Sequence, residues 1–281
     1  MLSLVEFIQE KIFAPFDIQI MKRSFFLDNY TPVKNISTLD LRQDNAIDPA
    51  FFQVVTSHSL TSKMLHNSQQ MLAAFTVYSA LKYIVENEKR GDLVECGVFD
   101  GNKILLMAEY LSQQGKYDYD FYLYDTFSGM TNPSQHDRAI SLEPPYYYTK
   151  ERVQERFSKD QKEQYNNWCY CSEADVRENV LATSYPTNRF NFIKGDVRQT
   201  LLRASPQHIA LLRLDTDFFD STLIELESLY HRVIPGGVII LDDYGTWAGQ
   251  KKAVDQFVET LDVRPMLIRT SQNERVIIKC E

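Results

Sequence analysis

Apolar positions along the chain recur with two different periods. Between positions 68 and 89, Met71, Phe75, Tyr78, Leu81 and Ile84 return every three or four residues, and charged residues with Gly91 behind them close the run. That spacing predicts a long helix with one buried face. The next segment, DLVECGV, is a short apolar stretch closed by Gly97, followed by Gly101 and the helical pattern ILLMAEYL. A strand, a glycine turn and a helix are expected in that order. The alternation continues with strand FYLYDTF ending at Asp125, helix ADVRENVLA before strand FNFIKGD, and a helix through TLLRA before strand IALLRLD. Helix STLIELESLYHRV then precedes Gly236, Gly237 and strand VIILDDY, and a helix forms around VDQFVETL. PMLIRT and RVIIKC flank SQNE and read as a hairpin. These elements predict an α/β, Rossmann-like fold whose mostly parallel seven-stranded sheet ends in a C-terminal antiparallel hairpin.

Punctuation sets the domain boundaries. Residues 1–67 mix short apolar pieces with Pro15, Pro32 and Pro49, so they predict a helical and looped extension outside the sheet. A lid, a homo-oligomer contact and plain packing are all open for it. Residues 68–281 form the expected catalytic domain, interrupted at 131–167 by a polar, aromatic stretch with Pro133, Pro144 and Pro145 that reads as an insertion or active-site lid.

Composition narrows the class. With 44% hydrophobic and 24% charged residues over 281 positions, the chain can build a sizeable core. A net charge of -8 with no basic cluster argues against nucleic acid as partner and favours a neutral or cationic small molecule. No apolar run is long enough for a membrane span, and Glu6, Glu10 and Lys11 break what would be a signal peptide, so a cytoplasmic location is expected. Cys96, Cys169, Cys171 and Cys280 are spaced too irregularly for a disulfide framework or a zinc site and read as reduced thiols.

In open α/β sheets ligands bind beyond the carboxyl ends of the strands, and here those ends are acidic. Glu95 and Gly97 close the first strand, Asp125 the second, Asp196 the third, Asp215 and Asp217 the fourth, and Asp242 and Asp243 the fifth. Asp125 has the position of a ribose partner, although a helix cap is an equal alternative for one strand-end aspartate. The first turn, ECGVFDGN, has two glycines, and Asp100 sits where a pyrophosphate would meet negative charge. A cofactor without phosphates fits better, which disfavours an NAD-dependent oxidoreductase. S-adenosylmethionine is such a cofactor, and Glu95 suits its cationic methionine end. Asp215, Asp242 and Asp243 leave neighbouring strand tips and are expected to converge on one hard cation, Mg2+, with helix capping as the competing role. His58, His66, His136, His208 and His231 stand apart from these tips and read as surface or packing residues.

The blocks GDLVECGVFDG, YDTFSGM, ADVRENV, KGDVRQTL, LLRLDTDFFDST and PGGVIILDDYGTWAG, in that order over residues 91–255, resemble the macrocin O-methyltransferase (TylF-type) family. Its members are class I methyltransferases that methylate sugar hydroxyls on antibiotics and related glycosides. The resemblance implies an S-adenosylmethionine-dependent, magnesium-assisted O-methyltransferase acting on a sugar or glycosylated natural product. It implies that Asp215 binds magnesium and acts as general base, and that Asp242 and Asp243 complete the metal site. It further implies that Glu95 and Gly97 line the methionine end, that Asp125 meets the ribose and that Asp196 lies near the adenine. Phe99 and Asn102 stand where family members usually carry tryptophan and glycine. A module that keeps the S-adenosylmethionine pocket without turnover is the remaining alternative.

Overall fold

The computed structural model describes residues 48–66, 68–137, 140, 165–166, 169–203 and 205–280. Most of the expected N-terminal extension, and most of the expected insertion or lid at 131–167 (138–139, 141–164 and 167), lie outside the described residues.

Nine strands are described: β1 (Asp92–Cys96), β2 (Phe121–Asp125), β3 (Met130–Thr131), β4 (Tyr165–Asn166), β5 (Phe190–Lys194), β6 (Ile209–Leu214), β7 (Val233–Leu241), β8 (Ile268–Arg269) and β9 (Arg275–Ile278). Seven form one sheet in the order β5-β2-β1-β6-β7-β9-β8, and β3 and β4 make a separate two-stranded ribbon. The first five strands of the sheet pair in parallel, while β9 runs antiparallel to β7 and β8. The chain steps outward from β1 through β2 to β5 and, on the other side, from β6 to β7, which places the topological switch point between β1 and β6; β9 then inserts between β7 and the edge strand β8.

Parallel strands are covered on both faces, so both sides of each must be apolar. In β1, Leu93 packs into one core and Val94 and Cys96 into the other. The first core lies under α1 (Pro49–Thr56), α2 (Ser68–Glu86) and α3 (Asn102–Gln113), with α4 (Glu173–Val180) beside them. The second lies under α5 (Val197–Thr200), α6 (Phe219–Leu229) and α7 (Ala248–Glu259). Phe51 of α1 is fully buried and meets Phe75 and Tyr78 of α2 at centroid distances of 5.0 and 5.3 Å. Burial of such a ring contributes roughly 1.5–3 kcal/mol, and the ion pair of Lys82 with Asp48 at 2.8 Å ties the start of α1 to α2.

The structure shifts several predicted boundaries: the helix expected through TLLRA is Val197–Thr200, and the one expected over STLIELESLYHRV is Phe219–Leu229. The predicted helix over 68–89 stops at Glu86. β7 begins at Val233, ahead of the glycines expected to precede it, because a register shift absorbs Pro235 and Gly236 within the strand. Proline offers no N–H to the ladder, so an irregularity is the form in which a strand tolerates it. The first arm of the C-terminal hairpin is only two residues long.

Candidate active site

The backbone ladder sets the acidic side chains at one level. The Asp215 N–H donates to the Cys96 carbonyl at 2.8 Å and the Asp242 N–H to the Leu214 carbonyl at 3.0 Å, so the tips of β1, β6 and β7 end together. Gly97 adopts φ +85°, and a Cβ there would stand 2.0 Å from the Asp215 carbonyl oxygen. Only glycine allows β1 to turn away that close to β6. Beyond these tips lies a cavity of about 540 Å³ whose walls include all seven strand-end acids read from the sequence, Glu95, Asp125, Asp196, Asp215, Asp217, Asp242 and Asp243, together with Gly97.

Oxygen atoms of Asp215, Asp242 and Asp243 lie within 4.8 Å of one another. One buried Asp243 oxygen, Oδ2, has no hydrogen-bond partner. Burial raises the Asp215 and Asp243 carboxyls well above the usual range, the Arg213 guanidinium only partly offsetting it for Asp215 and Asp217 adding to it for Asp243. Burial acts on Asp242 in the same direction, but Arg213 and Lys103 overcome it and hold that carboxyl low. Oxygen donors gathered this closely, with one left orphaned, fit a hard divalent cation such as magnesium.

Two cations on the cavity wall, Arg213 and Lys103, escape the sequence reading. Arg213 points into the site from β6, 3% exposed, and donates from Nη1 to Glu95 at 2.5 Å and to Asp215 at 2.7 Å, and from Nη2 to Asp242 at 2.5 Å. One guanidinium therefore fixes carboxylates on β1, β6 and β7. Glu95 keeps Oε2 without a partner, and burial pushes its carboxyl up to about 7 against the pull of Arg213 and Lys103.

Asp125 accepts from the Val98 and Phe99 N–H groups through Oδ2, at 2.8 and 3.1 Å, and from Phe127 N–H through Oδ1 at 2.7 Å. It braces the β1–α3 turn and keeps lone pairs for a ligand hydroxyl. Asp196 caps α5 and is clasped by Arg198, whose charge outweighs burial and lowers its carboxyl. Asp217, adjacent to the cluster, has φ +64°, and burial pushes its carboxyl up to about 7. Phe99 and Cys169, also on the cavity wall, share the left-handed conformation at φ 50°. Such backbone strain in non-glycine residues gathers where a binding site dictates the geometry. Among the histidines, His58 caps a helical turn and His136 packs on Phe219 at 4.7 Å; neither lines the cavity.

A doubly wound sheet with its ligand cavity at the switch point, walled by acids in place of a phosphate-binding turn, is the fold of class I methyltransferases. The family model of macrocin O-methyltransferase (TylF) matches residues 67–273, and the chain belongs to that family. It is 29% identical over 189 residues to demethyldecarbamoylnovobiocin O-methyltransferase of Streptomyces niveus, covering 66% of this chain and 64% of that protein. It is also 29% identical over 154 residues, 55% of this chain and 53% of the relative, to 8-demethyl-8-(2,3-dimethoxy-alpha-L-rhamnosyl)-tetracenomycin-C 4'-O-methyltransferase of Streptomyces olivaceus. The matches thus span between half and two thirds of these relatives. The solved O-methyltransferase NovP superposes with a TM-score of 0.65 at 23% identity, over 87% of this chain and 100% of that one, a likeness of fold.

Proposed function

We propose that this chain is an S-adenosylmethionine-dependent, magnesium-assisted O-methyltransferase acting on a hydroxyl of a sugar or glycosylated natural product. The observation that carries the reading is the convergence of Asp215, Asp242 and Asp243 within 4.8 Å beside a cavity at the switch point. The family supplies the reaction type, and relatives whose names specify novobiocin-type and rhamnosyl acceptors supply the acceptor class.

When bound, the cofactor supplies a methyl group on a sulfonium, and magnesium supplies a Lewis acid for the acceptor oxygen. Glu95 and Gly97 line the methionine end, Asp125 offers its remaining lone pairs to the ribose diol, and Asp196 marks the adenine end. Asp215, Asp242 and Asp243 hold the metal, and Arg213 keeps the first two in register. Asp215 accepts the proton of the acceptor hydroxyl. The NAD reading meets a specific obstacle, because Asp100 Oδ1 accepts the Asn102 N–H at 3.1 Å and so places the chain's own carboxylate at the helix start a pyrophosphate would need.

A second assignment of the base has its own support. Asp215 spends Oδ2 on Arg213 and lies within the acidic cluster, whereas Asp217 lines the same cavity with a carboxyl that burial pushes up to about 7. Incubation with isotope-labelled S-adenosylmethionine and a panel of rhamnosides and aminocoumarin glycosides, followed by mass spectrometry, tests the activity. Label on a sugar oxygen, abolished by EDTA and restored by magnesium, is the expected result; transfer indifferent to EDTA removes the metal from the reading, and binding of NAD in place of S-adenosylhomocysteine overturns it.

A further inference from the structure

Lys103 is a second cation that the metal cluster does not explain. It sits at the second position of α3, 4% exposed, and lines the cavity. Its ammonium donates to Gln70 Oε1 at 3.0 Å and to Asn102 Oδ1 at 3.1 Å, both neutral amide oxygens. Carboxylates of Glu95, Asp215 and Asp242 act on it only through space, and burial lowers its pKa. A buried ammonium held by amides alone keeps a substantial desolvation cost, which an anion delivered by a ligand would offset. Glu95, on the same cavity wall, keeps its buried Oε2 without a partner and is suited to a ligand ammonium. An unpartnered carboxylate oxygen and an amide-held ammonium in one cavity make a receptor for a zwitterion.

We infer that Lys103 is a cofactor-positioning residue that binds the α-carboxylate of S-adenosylmethionine, with Glu95 Oε2 facing the α-ammonium. The inference rests on the reading that this cofactor occupies the cavity. Gln70 and Asn102 aim the ammonium, and Gln70, carried on α2, couples that helix to the filling of the cofactor site.

Calorimetry with two ligands separates the lysine from the cofactor reading. S-adenosylhomocysteine carries the amino-acid end and 5′-methylthioadenosine lacks it, and both are titrated into the parent protein, Lys103→Met and Lys103→Gln. A charge-assisted hydrogen bond lost from a buried site costs tenfold to a hundredfold in affinity. Both variants are expected to lose that factor for S-adenosylhomocysteine and less than about twofold for 5′-methylthioadenosine. An equal loss for both ligands, or no loss for either, overturns the assignment. So does a change confined to magnesium affinity, which would make Lys103 a counter-charge for the aspartates. If the parent binds neither adenosyl ligand, the cofactor reading itself fails, an outcome distinct from failure of the lysine. Should Lys103→Met not fold, Lys103→Gln, which keeps a polar group beside Gln70, carries the test.

Discussion

Arg213 is a full charge placed in the most buried strand of the sheet, and the site depends on it. Its three carboxylate partners come from three strands, so its removal would leave Glu95 and Asp242 without their nearest counter-charge. Arg213→Met is expected to cost about 3–5 kcal/mol, the range for breaking a buried ion pair from one side, read as a lower urea midpoint at unchanged slope. Arg213→Lys cannot span Glu95 and Asp242 at once and should restore only part of that loss. The two candidate bases separate by kinetics. Asp215→Asn should lose on the order of a hundredfold in kcat if it is the base, keep S-adenosylhomocysteine affinity, and resist rescue by added magnesium. If Asp217 is the base, Asp217→Asn instead carries that loss and removes the limb of the pH–rate profile near 7, while Asp215→Asn behaves as a metal-site variant whose activity returns with excess magnesium. The strand-end acids were legible in the sequence because each closes an apolar run. Arg213 and Lys103 were not, because a lone cation inside IALLRLD or ahead of ILLMAEYL reads as an interruption of a pattern. The available signal was physical: a charge on a strand buried on both faces requires partners on its neighbours.

Among the elements, the turn from β1 to α3 organises the cavity. It is braced from outside by Asp125, and its closeness to β6 depends on the absence of a side chain at Gly97. Gly97→Ala would drive a methyl into the Asp215 carbonyl and force φ +85° on a residue that disfavours it. The expected outcome is a loss of roughly 1–3 kcal/mol in stability and a drop in S-adenosylhomocysteine affinity larger than stability alone explains, measured by urea denaturation and calorimetry. Gly115 is the control: it also has positive φ, at +64°, but meets nothing within 4 Å, so Gly115→Ala should cost stability and leave ligand affinity intact. The main sheet and the helices against it were legible, since helical spacing and short apolar runs closed by acids or glycines mark them, whereas the β3–β4 ribbon falls on the stretch read as an insertion. Boundaries were less so at β7, where Pro235 and Gly236 have the look of a loop and become strand only because β6 and β9 hold both edges of Val233–Leu241. The pairing partner of β7 decides that boundary, and no local window contains it.

For the whole molecule, the buried acids predict a stability that depends on pH and, if the proposed metal site is filled, on the cation as well. Glu95, Asp217 and Glu274 are each pushed up to about 7 and Asp92 to about 6, while Asp215, Asp243 and Glu225 lie well above their ordinary values, burial leading in every case. A carboxyl whose folded pKa exceeds its unfolded value binds more protons in the native state, so stability falls as pH rises from the unfolded pKa toward the folded one. Asp242, Asp48 and Asp196 are lowered and act in the opposite sense, but their contribution is complete once the pH is above the ordinary carboxylate range. Between about pH 5 and pH 8 the raised groups therefore dominate, and the metal-free protein should lose stability across that window. A divalent cation favours the ionised carboxylates and so opposes the loss most where they are deprotonated. Thermal unfolding in EDTA is expected to show a Tm several degrees lower at pH 8 than at pH 5.5, since each kcal/mol corresponds to roughly 2–4 °C at this chain length. Magnesium should recover most of the difference at pH 8 and add little at pH 5.5, and Asp243→Asn should flatten both responses. A Tm independent of pH in EDTA, or an equal magnesium shift at both pH values, would show that the carboxyls ionise in the folded protein without strain and that the cluster is not a cation site.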